Sequence, residues 1–329
     1  MKVSGLAAAT LLVAALPLCG APQETKSTAA YDLDTRDVNG NPMPGLDTRS
    51  SRSDGDSSVY ETRQSLNGTT VPAERVEQHV VRDSGGVRVV ERTIQRYSPN
   101  GEPLPREKQV ITTTTHADGS VEERNDTLRG DLNGNLALAE RTETEARRNG
   151  STVNSQSVIS RPSLNASLDV VEKRNVVRDE RSKDAWQQNE TVWRKGQSGF
   201  YEAVRRVTEH RAEDGRVSEN TAEYEPGSTG ALVLHSQVVK NSVKAPDGSE
   251  RTEITVRDQS APGTVIDGSD PGLKLRSEEI AERVPGADGS VRETVSVRRP
   301  TIAEPDRLGP ARRISETVCR GDCNPPTQP

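Results

Sequence analysis

Residues 132–166 read LNGNLALAERTETEARRNGSTVNSQSVISRPSLNA and contain one full unit of a repeat. The unit begins at Leu132-Asn133-Gly134, and Leu164-Asn165-Ala166 begins the next one. Related tripeptides stand earlier, at Leu66-Asn67-Gly68 and Pro99-Asn100-Gly101, so the spacings are 33, 33 and 32 residues. Asn-Gly pairs tolerate the positive φ that tight β-turns require. The tripeptides therefore predict turns at a fixed interval.

Two further features keep the same period. A second turn stands about halfway through each unit, for example at Asn149-Gly150 and Asp247-Gly248. An acidic–basic pair also recurs in phase, at Glu74-Arg75, Glu107-Lys108, Glu140-Arg141 and Glu172-Lys173. We interpret residues 58–300 as about seven repeats of 32 residues, with an insertion near 259–270 and a degenerate further unit around Asn39-Gly40.

The turns determine the expected fold class. Two turns per unit leave segments of about 9 to 12 residues, which is the length of a strand, and strands joined by short turns run antiparallel. We therefore expect an all-β antiparallel meander of about 14 strands, in an elongated single-layer or rolled sheet, with a closed shell as the alternative. Strands such as 121–128 have no apolar face, so cross-strand Thr–Thr and Glu–Arg pairs, worth about 0.2–1 kcal/mol each, must hold them together.

One turn carries a family resemblance. The stretch Tyr97-Ser98-Pro99-Asn100-Gly101-Glu102 resembles the Tyr-Asp-x-x-Gly turn of bacterial YD (Rhs-type) repeats. That family consists of secreted β-repeats that form large shells. The resemblance implies a secreted bacterial β-repeat protein and brings no catalytic residue with it.

The two ends of the chain differ from the repeats. Lys2 and the apolar stretch from Leu6 to Leu18 predict a secretory signal peptide over 1–21. Cys19 stands where a lipobox places its lipidated cysteine, so a lipoprotein is the alternative to simple secretion. We interpret 22–57 as a flexible tether or degenerate repeat, and 301–329 as a Pro-rich tail. The expected location is secreted, periplasmic or at the cell surface.

Composition excludes several functional classes. Only 30% of the residues are hydrophobic and 2% aromatic, which is too few for a thick core. The 44 basic and 50 acidic residues nearly balance, which argues against a nucleic-acid binder, and only the leader is an extended apolar stretch. Phosphate loops, nucleophile elbows and zinc-ligand spacings are absent from the sequence, so we expect no enzyme, cofactor or metal.

The C-terminal cysteines frame an Arg-Gly-Asp triplet. Cys319 and Cys323 flank Arg320, Gly321 and Asp322, and an exported compartment permits a disulfide between them. Such a bridge would display the triplet in a small loop, as integrin-binding loops do. A local clip with no receptor is the other interpretation.

We expect a secreted, non-enzymatic β-repeat protein with a structural or surface role. The alternative is an adhesin or binding module that recognises a protein or a carbohydrate, and an exported enzyme is a third hypothesis. Clustering of Trp186, Trp193, Phe200 and Tyr201 on one face would favour binding. A pocket lined by two or more desolvated carboxylates would favour an enzyme.

Overall fold

The structure is a computed structural model that describes residues 27–37, 45–66, 69–131, 134–165, 167–259, 272–300, 307–321 and 323. These residues form one sheet of antiparallel strands with no helix among them, and the predicted all-β meander is confirmed. The 18 strands are β1 (Ser27–Arg36), β2 (Gly45–Asp54), β3 (Ser57–Leu66), β4 (Thr69–Ser84), β5 (Val87–Arg96), β6 (Glu107–Thr115), β7 (Val121–Gly130), β8 (Leu136–Asn149), β9 (Thr152–Pro162), β10 (Leu168–Ser182), β11 (Ala185–Gly196), β12 (Gly199–Glu213), β13 (Arg216–Pro226), β14 (Leu232–Lys244), β15 (Glu250–Gln259), β16 (Leu273–Pro285), β17 (Val291–Arg298) and β18 (Arg312–Gly321).

The strand count exceeds the expected 14 because the two ends of the chain contribute β1, β2 and β18, and residues 57–298 form 15 strands. β1 and β2 lie within 22–57, where a tether was one of two interpretations. β18 lies within 301–329, so the expectation of a Pro-rich tail is wrong for residues 312–321. The prolines that suggested a tail, Pro325, Pro326 and Pro329, follow the strand and do not interrupt it. Backbone pairing with two neighbours forms β18 without an apolar pattern in its sequence.

The first strand and the last strand are neighbours. β1 pairs with β2 and also with β18, in a register that runs from Tyr31↔Gly321 to Arg36↔Glu316. Every described strand therefore has a hydrogen-bonded strand on each side, and the single-layer sheet is rolled until it closes on itself. Eight consecutive hairpins, from β2–β3 to β16–β17, make eight units. β18 and β1 pair in the same way and complete a ninth unit without a connecting turn.

A bulge recurs at an equivalent place in seven of the nine units and contributes to the curvature. In seven even-numbered strands, one residue is left unpaired opposite the preceding strand. These residues are Ala73, Ala139, Val171, Ala203, His235, Arg276 and Ile314. A β-bulge bends its strand and increases the local twist. Because the bulges occupy equivalent places, their bends add in one direction and bring the ends of the sheet together.

The two ends of the strands have different connections. We call the upper rim the end where each odd-numbered strand leads to the next even-numbered strand, and the lower rim the opposite end. Three lower-rim turns share the sequence Asp-Gly-Ser, at 118–120, 247–249 and 288–290. In each, the serine Oγ and backbone N–H donate to Oδ1 of the aspartate, at 2.6 and 2.9–3.0 Å. These bonds hold the pKa of Asp118, Asp247 and Asp288 below the usual range of an aspartate, and the bond from the serine hydroxyl has the largest effect.

The buried interior is thin. In the described part of the chain, the buried apolar side chains are Ile94, Val153, Val192, Ala203, Val204, Ile280 and Cys319. Hydroxyl pairs join neighbouring strands at similar depth, with oxygen–oxygen distances of 2.9 Å for Thr144–Ser157, 3.1 Å for Thr208–Thr221 and 2.8 Å for Ser242–Thr252. The sheet is therefore stabilised largely by its backbone ladder and by polar cross-strand contacts.

Candidate functional site

The acidic residue of each in-phase pair, and Glu278 in a later unit, has a recurring partner near the upper rim. It accepts a hydrogen bond or ion pair from an arginine near the end of the next strand, 20 to 22 residues later. The contacts are Glu74–Arg96 at 3.1 Å, Glu107–Arg129 at 3.4 Å, Glu140–Arg161 at 2.9 Å, Glu172–Arg194 at 3.3 Å and Glu278–Arg298 at 3.0 Å. The repeated sequence feature thus joins the two strands of one hairpin.

These contacts extend into a longer chain of charges across β10 to β13, which we call the charge ladder. Its members alternate in sign: Arg194, Glu172, Arg174, Glu190, Arg206 and Glu223. Glu190 is only 13% exposed and lies 3.3 Å from Arg174 and 3.5 Å from Arg206. Burial lowers the pKa of Arg206, but its hydrogen bond to Glu223 and the charges of Glu223 and Glu190 outweigh this and raise it. The ladder neutralises itself and leaves Glu190 between two cations.

A cavity of about 500 Å³ opens at the upper rim beside the charge ladder. β12 pairs with β11 from Gly199 onward, but with β13 only from Arg205, so residues 199–204 have no partner strand on the β13 side. The cavity occupies this gap. Its lining consists of Tyr201, Glu202, Arg205, Pro226, Gly230 and Leu232.

The polar part of the cavity wall is an ion pair. Arg205 donates from Nε and Nη2 to Oε1 of Glu202, at 2.9 and 2.8 Å. Glu202 is the single carboxylate among the lining residues, so the pocket lacks the pair of carboxylates set as the criterion for an enzyme. The residues of this site were not predicted from the sequence. The one signal in the sequence is Pro226, which stands 32 residues after Arg194, at a position where several other units carry an arginine.

The four aromatic residues named as a test of binding do not share one face. Phe200 and Tyr201 are adjacent in β12 and point to opposite faces of the sheet. Trp186 stacks on His210 near the lower rim, with ring centroids 5.0 Å apart, and the Arg178 guanidinium lies 4.2 Å from the centroid of the Trp186 ring. Trp193 is half-buried in β11. By the criterion above, this arrangement favours a structural role over a broad binding face.

The C-terminal cysteines form a disulfide at the lower rim. Cys319 is a buried member of β18, and the Cys323 carbonyl oxygen accepts a hydrogen bond from Arg283 at 2.9 Å. Arg320 is exposed, and Gly321 has a φ of 98°. Asp322 lies outside the described residues, as do Cys19 and the leader over 1–21, so receptor binding through the triplet and lipidation stay predictions.

The four histidines form local contacts. His79 bonds to Ser57 at 3.0 Å, and His116, His210 and His235 lie 3.3 to 3.9 Å from glutamates on adjacent strands. In the described ranges, no three His, Cys, Asp or Glu side chains come together as metal ligands. No helix in the described part of the chain is long and apolar enough to cross a membrane.

Comparison with known proteins identifies no relative. No family model, no curated protein and no solved structure matches this sequence significantly. The resemblance of residues 97–102 to YD repeats stays a prediction.

Proposed function

We propose that this protein is a secreted, non-enzymatic β-repeat scaffold with a structural role at the cell surface. The observation that carries the proposal is the recurring Glu–Arg contact: the feature that repeats in the sequence joins neighbouring strands through pairs of opposite charge. A repeat that served catalysis or ligand binding would place its recurring polar side chains in a cavity. Here the recurring side chains, such as Glu172 and Arg194, neutralise each other within the sheet.

The proposed location at the cell surface rests on the predicted signal peptide. If this peptide directs export, protease added to intact producing cells should degrade the protein while a cytoplasmic marker survives. A variant lacking residues 2–21 should be protected in the same assay. Protection of the full chain would overturn the surface location.

The structural role can be tested by complementation. Cells that lack the protein should become more sensitive to detergent or osmotic shock, and the full chain should restore resistance. We expect a variant with an altered cavity, Glu202→Gln, to restore resistance as well as the full chain, because a scaffold requires only the fold. Normal resistance without the protein, or failure of the folded Glu202→Gln variant, would overturn the proposal. The second result would favour the adhesin alternative.

A further inference from the structure

We infer that the upper-rim cavity between β12 and β14 binds a neutral carbohydrate unit. This inference concerns one gap in the sheet and does not depend on the proposed structural role. The cavity volume of about 500 Å³ lies within the range of small-ligand sites, about 300–1,000 Å³.

The unit that carries the cavity departs from the others in sequence. In several other units an arginine lies near the end of the odd-numbered strand, as Arg161 and Arg194 do, whereas β13 ends with Pro226. Arg205 pairs with Glu202 on its own strand. The same strand begins with Gly199, Phe200 and Tyr201. The change from arginine to Pro226 leaves a space, and Tyr201 places an aromatic ring beside it.

The position of the Tyr201 ring is constrained by its neighbour across the hairpin. A Cβ at Gly196 would lie 3.3 Å from Cδ1 and Cε1 of the tyrosine, so the glycine leaves room for the ring to lie over β11. Even so, Tyr201 is 51% exposed. A ring that is positioned and still half open to solvent is an available apolar surface, and Leu232 and Pro226 add to it on the opposite strands.

The charges of the cavity select a neutral ligand with both donors and acceptors. Glu202 and Arg205 are 2.8 Å apart and neutralise each other, so the pair offers neither an anion nor a cation a net charge to bind. A sugar ring satisfies both groups because its hydroxyls donate to the carboxylate and accept from the guanidinium. Its C–H face is apolar and packs on the tyrosine. Tyr201 and Glu202 are adjacent in β12 and point to opposite faces of the sheet, so a polyhydroxylated ring would contact both only within the gap, with the tyrosine on one side and the ion pair on the other.

The test uses the full mature chain and three neutral tetrasaccharides: cellotetraose, laminaritetraose and N-acetylated chitotetraose. Titration calorimetry should detect saturable binding of at least one of them, with a Kd of about 0.1–1 mM, as expected for a shallow and exposed site. Tetragalacturonate and tetra-alanine test the charge argument and the peptide alternative. Both should bind at least about tenfold more weakly than the best neutral sugar.

Variants locate the binding. Tyr201→Ala should weaken it at least about tenfold, and Tyr201→Trp should keep it within about threefold because a stacking ring remains. Arg161→Ala is the matched control, since it removes an exposed upper-rim arginine from another unit and should leave binding unchanged. If Tyr201→Ala misfolds by circular dichroism, Glu202→Gln decides and should also weaken binding about tenfold.

Three results would overturn the inference. The first is no saturable binding of any neutral tetrasaccharide at 10 mM, a concentration about ten times the weakest expected Kd. The second is tighter binding of tetragalacturonate or tetra-alanine than of the neutral sugars. The third is sugar binding that neither Tyr201→Ala nor Glu202→Gln alters.

Discussion

Tyr31 in the first strand pairs with Gly321 in the last, although 290 positions separate them in the sequence. Six register positions join β1 to β18, and β1 also pairs with β2. The terminal strands together form the ninth unit of the array. An open meander would leave the backbone groups of two edge strands unpaired, and exposed edges promote association between chains. The pairing of β1 with β18 therefore protects the edges that the meander would otherwise expose.

Removal of β1 should make the protein self-associate. Deletion of residues 27–37 from the mature chain leaves β2 and β18 each with an unpaired edge. We expect the full chain to elute as a single species in size-exclusion chromatography with light scattering, and the deletion variant to form dimers or larger species.

The control for this deletion removes residues 262–269, which lie outside the described residues, between β15 and β16. This variant should elute like the full chain. A deletion of β1 that stays monodisperse, with an unchanged melting temperature, would contradict the role assigned to that strand.

Loss of the central carboxylate of the charge ladder should destabilise the sheet. Glu190→Gln removes the carboxylate between Arg174 and Arg206 at a half-buried position, and each arginine then keeps only one of its two carboxylate partners. We expect the free energy of unfolding to fall by about 1–3 kcal/mol, measured by urea denaturation.

Glu145→Gln is the matched control for the ladder. Glu145 is 44% exposed and pairs only with Arg147 among the described contacts, at 2.6 Å. Its replacement should change the free energy of unfolding by less than about 0.5 kcal/mol, as for other surface ion pairs. If the two substitutions change the free energy of unfolding equally, the ladder contributes no more to stability than a surface ion pair does.

Acid should weaken the lower-rim turns in a predictable direction. Asp118, Asp247 and Asp288 have a pKa in the folded protein below that of an unfolded aspartate, about 3.9. Their stabilising effect is therefore complete above that value and is lost as the pH falls through the folded pKa. The combined Ser120→Ala, Ser249→Ala and Ser290→Ala variant lacks the hydroxyl donors, so its melting temperature should depend less on pH below about pH 5.

The matched control for the turns is Ser167→Ala. It removes an upper-turn hydroxyl that bonds to Ser163 at 2.7 Å and not to a carboxylate. This variant should keep the acid dependence of the unmodified protein. If the triple variant and the unmodified protein lose stability in parallel from pH 6 to pH 2, the serine hydroxyls do not lower the pKa of the aspartates in these turns.

The disulfide should be complete but contribute little to global stability. The bridge between Cys319 and Cys323 closes a loop of only three intervening residues, and a short loop restricts the unfolded chain less than a long one. Purified, non-reduced mature protein without Cys19 should contain close to zero free thiol. Reduction should lower the melting temperature by less than about 2 °C, because the backbone ladder of β18 stays in place. Two free thiols before reduction would contradict the bridge.

The sequence predicted the fold where the residue type itself determines the backbone conformation. Asn-Gly and Asp-Gly turns have a local cause, so their period predicted the hairpins, the antiparallel pairing and the sheet. The bulges have no such cause: their residues range from Ala73 to His235 and Arg276, and each bulge depends on the register of the neighbouring strand. Closure follows from the summed curvature of the units and therefore could not be predicted from any one of them.

The sequence also could not show which side chains of the site contact one another. The Glu172–Arg194 contact joins residues 22 positions apart, and only the hairpin register brings them together. The cavity arises from the place where β12 and β13 cease to pair, next to Pro226. Comparison of each unit with its neighbours would have marked this residue as a departure, but not the space beside it.

The pairing of β1 with β18 closes the sheet, and cross-linking tests this pairing directly. Asp34 and Val318 are directly opposite each other in the register, where Cα atoms lie about 4.5–5.5 Å apart. In a mature chain carrying Asp34→Cys and Val318→Cys, with the native disulfide intact, a short bis-maleimide reagent should link the two cysteines within one chain. Asp34→Cys combined with Gln156→Cys on β9 should give no such link. A monomer with no link between positions 34 and 318, or links that form only between chains, would contradict the closed sheet.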